Sequence, residues 1–139
     1  MKIFINASLT KKQLRILFCT FAKKLGVQQV IFNNRGKYVC GTYNAETKRM
    51  YINTKQTKKE MLYTLFHELG HHEAVKKKRW IKYHFDLTLT ITNEQIFQIE
   101  NKIDQIGEKL WYKYVDTNAW GRYKYSYPKS QKHIILNYI

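Results

Sequence analysis

The 139 residues suffice for one domain, and 44% hydrophobic content with 15% aromatics supports a packed core and excludes wholesale disorder. Two cysteines, Cys19 and Cys40, exclude a disulfide scaffold and a cysteine-ligated zinc domain, and no apolar run of ~18 residues offers a membrane-spanning helix. Twenty-five basic residues against ten acidic ones leave a net charge of +15, which favours an acidic partner or surface.

In chain order, Lys2, Ile3, Phe4 and Ile5 read as a strand, too short for the apolar core of a secretory signal, so the expected location is cytoplasmic. Thr10-Lys11-Lys12-Gln13 has the form of a capping box. Leu14, Leu17, Phe18, Phe21 and Leu25 then recur at helical spacing, with Gly26 where a C-terminal cap belongs. Residues 30–32, 38–43 and 50–52 predict three strands joined as a meander, the first turn being Asn33-Asn34-Arg35-Gly36. Thr57-Lys58-Lys59-Glu60 is a second capping box, opening a helix to about residue 80. Leu87, Leu89 and Ile91 alternate with Thr88 and Thr90, a weak strand signal. Thr92-Asn93-Glu94-Gln95 opens a third helix, with Ile96, Ile99, Ile103, Ile106 and Leu110 along one face. Residues 117–139 are aromatic, basic and irregular, although Tyr123, Tyr125 and Tyr127 alternate as on a strand. The expectation is one α+β domain over residues 1–139, a small, mostly antiparallel sheet packed against about three helices.

The second helix contains His67-Glu68-Leu69-Gly70-His71, an H-E-x-x-H motif. Residues four apart share a helix face, so both imidazoles can reach one ion while Glu68 addresses a water on it. An amphipathic helix with two surface histidines would read the same way. A catalytic zinc needs a third protein ligand, and the longer metzincin pattern is excluded because Ala74 and Lys77 stand at its glycine and third-histidine positions. Glu100-Asn101-Lys102-Ile103-Asp104 on the third helix has the form E-x-x-x-D. Glu100 is the candidate third ligand there, and Asp104 a hydrogen-bond partner that would fix a ligand imidazole. This sets the metal site between the second and third helices. His72, His84 and His133 compete for the third place, His72 least, since it points about 100° away around the helix. Gly70 in a helix interior points either to close packing or to simple tolerance.

Residues 65–72, preceded by Gly41-Thr42-Tyr43 and Met50-Tyr51-Ile52-Asn53, resemble the ImmA/IrrE-type zinc metallopeptidases of phages and mobile elements. The resemblance covers roughly residues 38 to 112 and implies a zincin-like fold. In that family a later helix carries a pattern like E-x-x-A-N/D-x-F-A. Glu100 and Asp104 match it, whereas Ile103, Ile106 and Gly107 depart from it. The resemblance also implies peptide binding along an edge strand, here residues 50–53.

Two functions follow. The first is a Zn2+-dependent peptidase acting on a protein or peptide, with Glu68 as general base on a metal-bound water. His84, Tyr123, Tyr125 and His133 are the candidate donors to the oxyanion. The alternative is a basic nucleic-acid-associated protein with a structural or vestigial metal site, its charge also suiting an acidic protein. Lys76-Lys77-Lys78-Arg79 fits either a basic patch near the site or the ordinary preference for cations at a helix C-terminus.

Overall fold

A threonine marks the start of each long helix. Thr10, Thr57 and Thr92 accept from the backbone N–H three residues on, while the side chains of Gln13, Glu60 and Gln95 return the bond. These boxes open α1 (Lys11–Lys24), α2 (Lys58–Lys76) and α4 (Asn93–Tyr114). Between them lie β1 (Gln29–Asn33), β2 (Gly41–Asn44), β3 (Arg49–Asn53) and a short α3 (Ile81–Phe85). The structure is a computed structural model that describes residues 9–34, 39–86 and 88–115. The strand expected at residues 2–5, Tyr38 and everything from 116 to 139 lie outside the described residues.

The fold is α+β, four helices on a small mixed sheet. The order is β1-β3-β2: β3 pairs antiparallel with β2 and parallel with β1. The meander is therefore corrected to a crossover, with β1 beside β3 instead of β2. The physical reason is burial. Met50 and Ile52 on β3 are fully buried, so this strand takes the centre, where both its neighbours cover it. Two further expectations change. Residues 89–91 are irregular and no strand forms there, and α2 stops at Lys76. Beyond it Lys78 and Trp80 adopt left-handed backbone conformations, φ 56° and 50°, and turn the chain into α3.

The core forms where α1 and α2 meet the sheet and α4. Leu14, Phe18, Phe21 and Ala22 cover one side of α1, and Phe21 packs on Phe66 with ring centroids 5.9 Å apart. Trp111 of α4 is fully buried between Phe66 and Tyr63, at 5.4 and 5.8 Å. On α2 every residue from 61 to 72 is buried, so it is the central helix of the fold and not an amphipathic surface helix. That leaves its histidines no surface to occupy.

Two glycines set how close α2 and α4 come. A Cβ on Gly70 would lie 2.4 Å from the Ile103 carbonyl oxygen, and one on Gly107 would lie 2.5 Å from the Phe66 carbonyl oxygen. No side chain fits at either point, so the backbones touch there. The first of the two readings of Gly70, close packing, is the one that holds. Gly107 is its reciprocal partner.

Candidate metal centre

The buried stripe of α4 runs through Ile96, Glu100, Ile103, Asp104, Gly107 and Trp111, which turns both carboxylates toward α2 instead of leaving them in solvent. His67 and His71 lie one turn apart on α2 and face that stripe. The His67 Nδ1–H donates to Asp104 Oδ1 at 3.0 Å. His71 Nδ1 is 3.0 Å from His84 Nε2, and the other nitrogen of His84 is 3.0 Å from the Trp80 carbonyl oxygen. A carbonyl only accepts, so His84 carries its proton on Nδ1 and its Nε2 accepts from His71. Burial and the neighbouring His71 push the His84 pKa down, consistent with a neutral ring.

Both imidazoles are thus held by Nδ1, leaving each Nε2 toward Glu100. His71 Nε2 is 3.1 Å from Glu100 Oε1 and 2.9 Å from Oε2, the first contact alone having hydrogen-bond geometry. His67 Nε2 is 3.8 Å from the same Oε1. Ligands bonded tetrahedrally at 2.0–2.1 Å stand about 3.3 Å apart, so these separations bracket what a zinc ion demands. Among the described residues, the group whose ligand atoms all lie within 4.8 Å of one another is His67, Glu68 and His71; Glu100 stands outside it but reaches each imidazole singly. The buried Oε2 of Glu68 has no hydrogen-bond partner. Two nitrogens and a choice of carboxylate oxygens fit a divalent cation.

The charges respond to this crowding. Burial alone would lower the His67 pKa, but the carboxylates of Asp104, Glu100 and Glu68 outweigh it and hold the ring well above its usual value. Burial raises Glu68, opposed by the imidazoles of His71 and His67. For Glu100 burial again pushes upward, yet His71 and His67 win and keep it well below the carboxylate range. The two carboxylates are thus driven in opposite directions, Glu100 toward the ionised form and Glu68 toward a raised proton affinity.

An open cleft of about 280 Å³ lies over these groups, lined by Thr42, Tyr43, Glu68, His71, Tyr83, His84 and Glu100. β2 forms its far wall. Gly41 brings that strand in, since a Cβ there would lie 2.5 Å from Thr64 Cγ2 and 3.4 Å from Glu68 Cγ.

His72 is directed away from the cleft. Its Nε2–H donates to the Leu25 carbonyl at 2.9 Å and its Nδ1 accepts from the Tyr43 hydroxyl at 2.7 Å, tying α1, α2 and β2 together. His84 is neither brought to the Nε2 side as a ligand nor left with a free donor, which corrects its candidacy for the oxyanion. Tyr123, Tyr125 and His133 lie outside the described residues. The expected edge strand, residues 50–53, is the central β3, and β2 is at the edge of the described sheet. Tyr83 escaped sequence reading because nothing in its spacing marks it; the left-handed turn after α2 brings it over the cleft. In Lys76-Lys77-Lys78-Arg79, Lys76 and Lys77 lie 3.8 and 3.5 Å from Glu73, as cations ending a helix do.

Comparison with family models, characterised proteins and solved structures gives no match to this chain. Among the described residues no helix is long and apolar enough to cross a membrane.

Proposed function

We propose that the protein is a zinc-dependent peptidase that hydrolyses a peptide bond of a protein or peptide substrate. Its metal ligands are His67, His71 and Glu100. The observation that carries this reading is Glu68: a buried carboxylate, one oxygen without a hydrogen-bond partner, grouped with the two imidazoles of His67 and His71 as atoms that could hold a metal. A structural metal site is closed by its ligands and has no use for such a base.

A bound zinc ion would act as Lewis acid and bring the pKa of its water near neutrality. Glu68, with its raised proton affinity, takes the proton of the attacking water and hands it to the leaving amine. Asp104 and His84 hold the two imidazoles by their Nδ1 protons, which fixes the tautomer and strengthens each ring as a donor. In the described sheet β2 pairs only with β3, and its other edge suits an extended peptide that adds to the sheet beside Glu68. This is also the chemistry that the resemblance to the ImmA/IrrE-type peptidases implies.

The test is Glu68→Gln, which keeps the size of the side chain and removes the base. The variant should fold and retain zinc, while cleavage of fluorescein-labelled unfolded casein falls ~10²–10⁴-fold. Equal cleavage by both proteins, with zinc retained, would falsify the mechanism. The net charge of +15 supports the second reading, a nucleic-acid-associated protein, and that outcome would bring it forward.

A further inference from the structure

The tetrahedral oxyanion formed in amide hydrolysis needs a hydrogen-bond donor besides the metal, and counting protons around the cleft locates one. Glu68 and Glu100 are acceptors. The Nδ1–H of His71 is spent on His84. A neutral His84 has one N–H, and Trp80 takes it. Tyr43 has one O–H. Because His72 donates its Nε2–H to Leu25, its Nδ1 can only accept, so the proton in the 2.7 Å bond belongs to Tyr43 and is used there. Among the cleft-lining residues two hydroxyls remain, those of Thr42 and Tyr83.

Tyr83 is the better placed. Its ring lies nearly parallel to the imidazole of His71, at 17° with centroids 6.5 Å apart, and it lines the cleft together with Glu68 and Glu100. Thr42 stands on the strand wall, opposite Tyr51 in the sheet register.

We propose that the Tyr83 hydroxyl is the donor that stabilises the oxyanion during hydrolysis. This rests on the peptidase reading. As the water oxygen bonds to the carbonyl carbon, the carbonyl electron pair moves onto its oxygen. Tyr83 hydrogen-bonds that oxygen and keeps its own proton. Collapse of the intermediate returns the pair, breaks the C–N bond and releases the amine with the proton carried by Glu68. Tyr83 is thus a catalytic residue by contact with the reacting oxygen and exchanges no proton with it.

The experiment loads the full chain with Zn2+ and titrates acetohydroxamate, whose oxygens occupy the place of the oxyanion. Tyr83→Phe keeps the ring on His71 and removes only the hydroxyl; Thr42→Val is its counterpart across the cleft. Zinc affinity should be unchanged in both, and the absorption spectrum of the cobalt-loaded proteins should match wild type before the hydroxamate is added. Hydroxamate affinity should fall roughly tenfold to a hundredfold in Tyr83→Phe, as for a lost hydrogen bond to a charged group, and hold within about twofold in Thr42→Val. Equal affinity in wild type and Tyr83→Phe, no binding by wild type, or a loss confined to Thr42→Val would overturn the assignment and leave the metal site standing. A wild-type protein that takes up no zinc would instead overturn the peptidase reading beneath it.

Discussion

Gly70→Ala sets two calculable effects against each other. Alanine in a helix interior gains about 1 kcal/mol over glycine, so an open site would be stabilised. Here the new Cβ meets the Ile103 carbonyl oxygen at 2.4 Å, where ordinary contact begins at 3.4 Å, so α2 and α4 must part by about 1 Å. The obstacle is backbone and cannot swing aside. Overpacking of this kind costs about 1–3 kcal/mol, and the rigid partner puts the cost at the upper end. The net result is a loss of about 1–2 kcal/mol. The same displacement reaches the site, because Asp104 follows Ile103 and Glu100 lies one turn before it. Adding about 1 Å to the 3.1 Å between Glu100 Oε1 and His71 Nε2 takes it beyond the ~3.3 Å of tetrahedral ligands, and the 3.8 Å to His67 Nε2, already beyond it, grows further. Zinc affinity should then drop ~10–100-fold, on the scale of lost supporting contacts. Chelator competition measures the affinity, and thermal melting in EDTA measures the fold. A variant more stable than wild type in EDTA and equally tight for zinc would refute the backbone contact on which the calculation rests. Gly107→Ala, facing Phe66, should behave in the same way.

His67→Ala and Glu100→Ala should abolish tight zinc binding, whereas Asp104→Asn, which alters the partner of His67 Nδ1, should weaken it ~10–100-fold in the same chelator competition. Zinc uptake should release protons: His67 is held protonated above its ordinary range and must lose a proton to bind, so affinity falls as pH falls, read by calorimetry in buffers of different ionisation enthalpy. A thousandfold excess of zinc over its dissociation constant should stabilise the fold by about 4 kcal/mol, and EDTA should reverse the shift in melting temperature. If the +15 surface holds nucleic acid, the affinity for a random DNA duplex should fall linearly with salt on logarithmic axes, and a flat response would make the lysines a solvated face.

The helices were legible because their starts are chemical: a threonine followed three residues later by Gln or Glu satisfies backbone groups that nothing else nearby can. The two histidines were legible because helical spacing alone puts them on one face. Glu100 and Asp104 could be picked out only by asking where a third ligand would come from, since the isoleucine stripe suggested a face that excludes them. The buried stripe instead runs through Ile96, Ile103 and Trp111 with the two carboxylates inside it. The strand order was not legible, because residues 30–32 suit an antiparallel or a parallel neighbour equally, and only the burial of Met50 and Ile52 decides. Tyr83 and His84 depend on two left-handed residues, Lys78 and Trp80, neither a glycine, so sequence offered no sign of the turn.

That turn has a thermodynamic consequence. Left-handed backbone costs of order 1 kcal/mol or more for each non-glycine residue, and α3 buries none of its residues completely in return. What tethers α3 includes the hydrogen bond that His84 accepts from His71 and the stacking of Tyr83 on the same ring. An ion that fixes His71 therefore favours the docked arm, and by reciprocity a docked arm raises affinity for the ion by the same factor. Amide exchange over residues 81–86 should slow on zinc addition by as much as undocking α3 weakens zinc, so one short helix reports from the outside on whether the centre is filled.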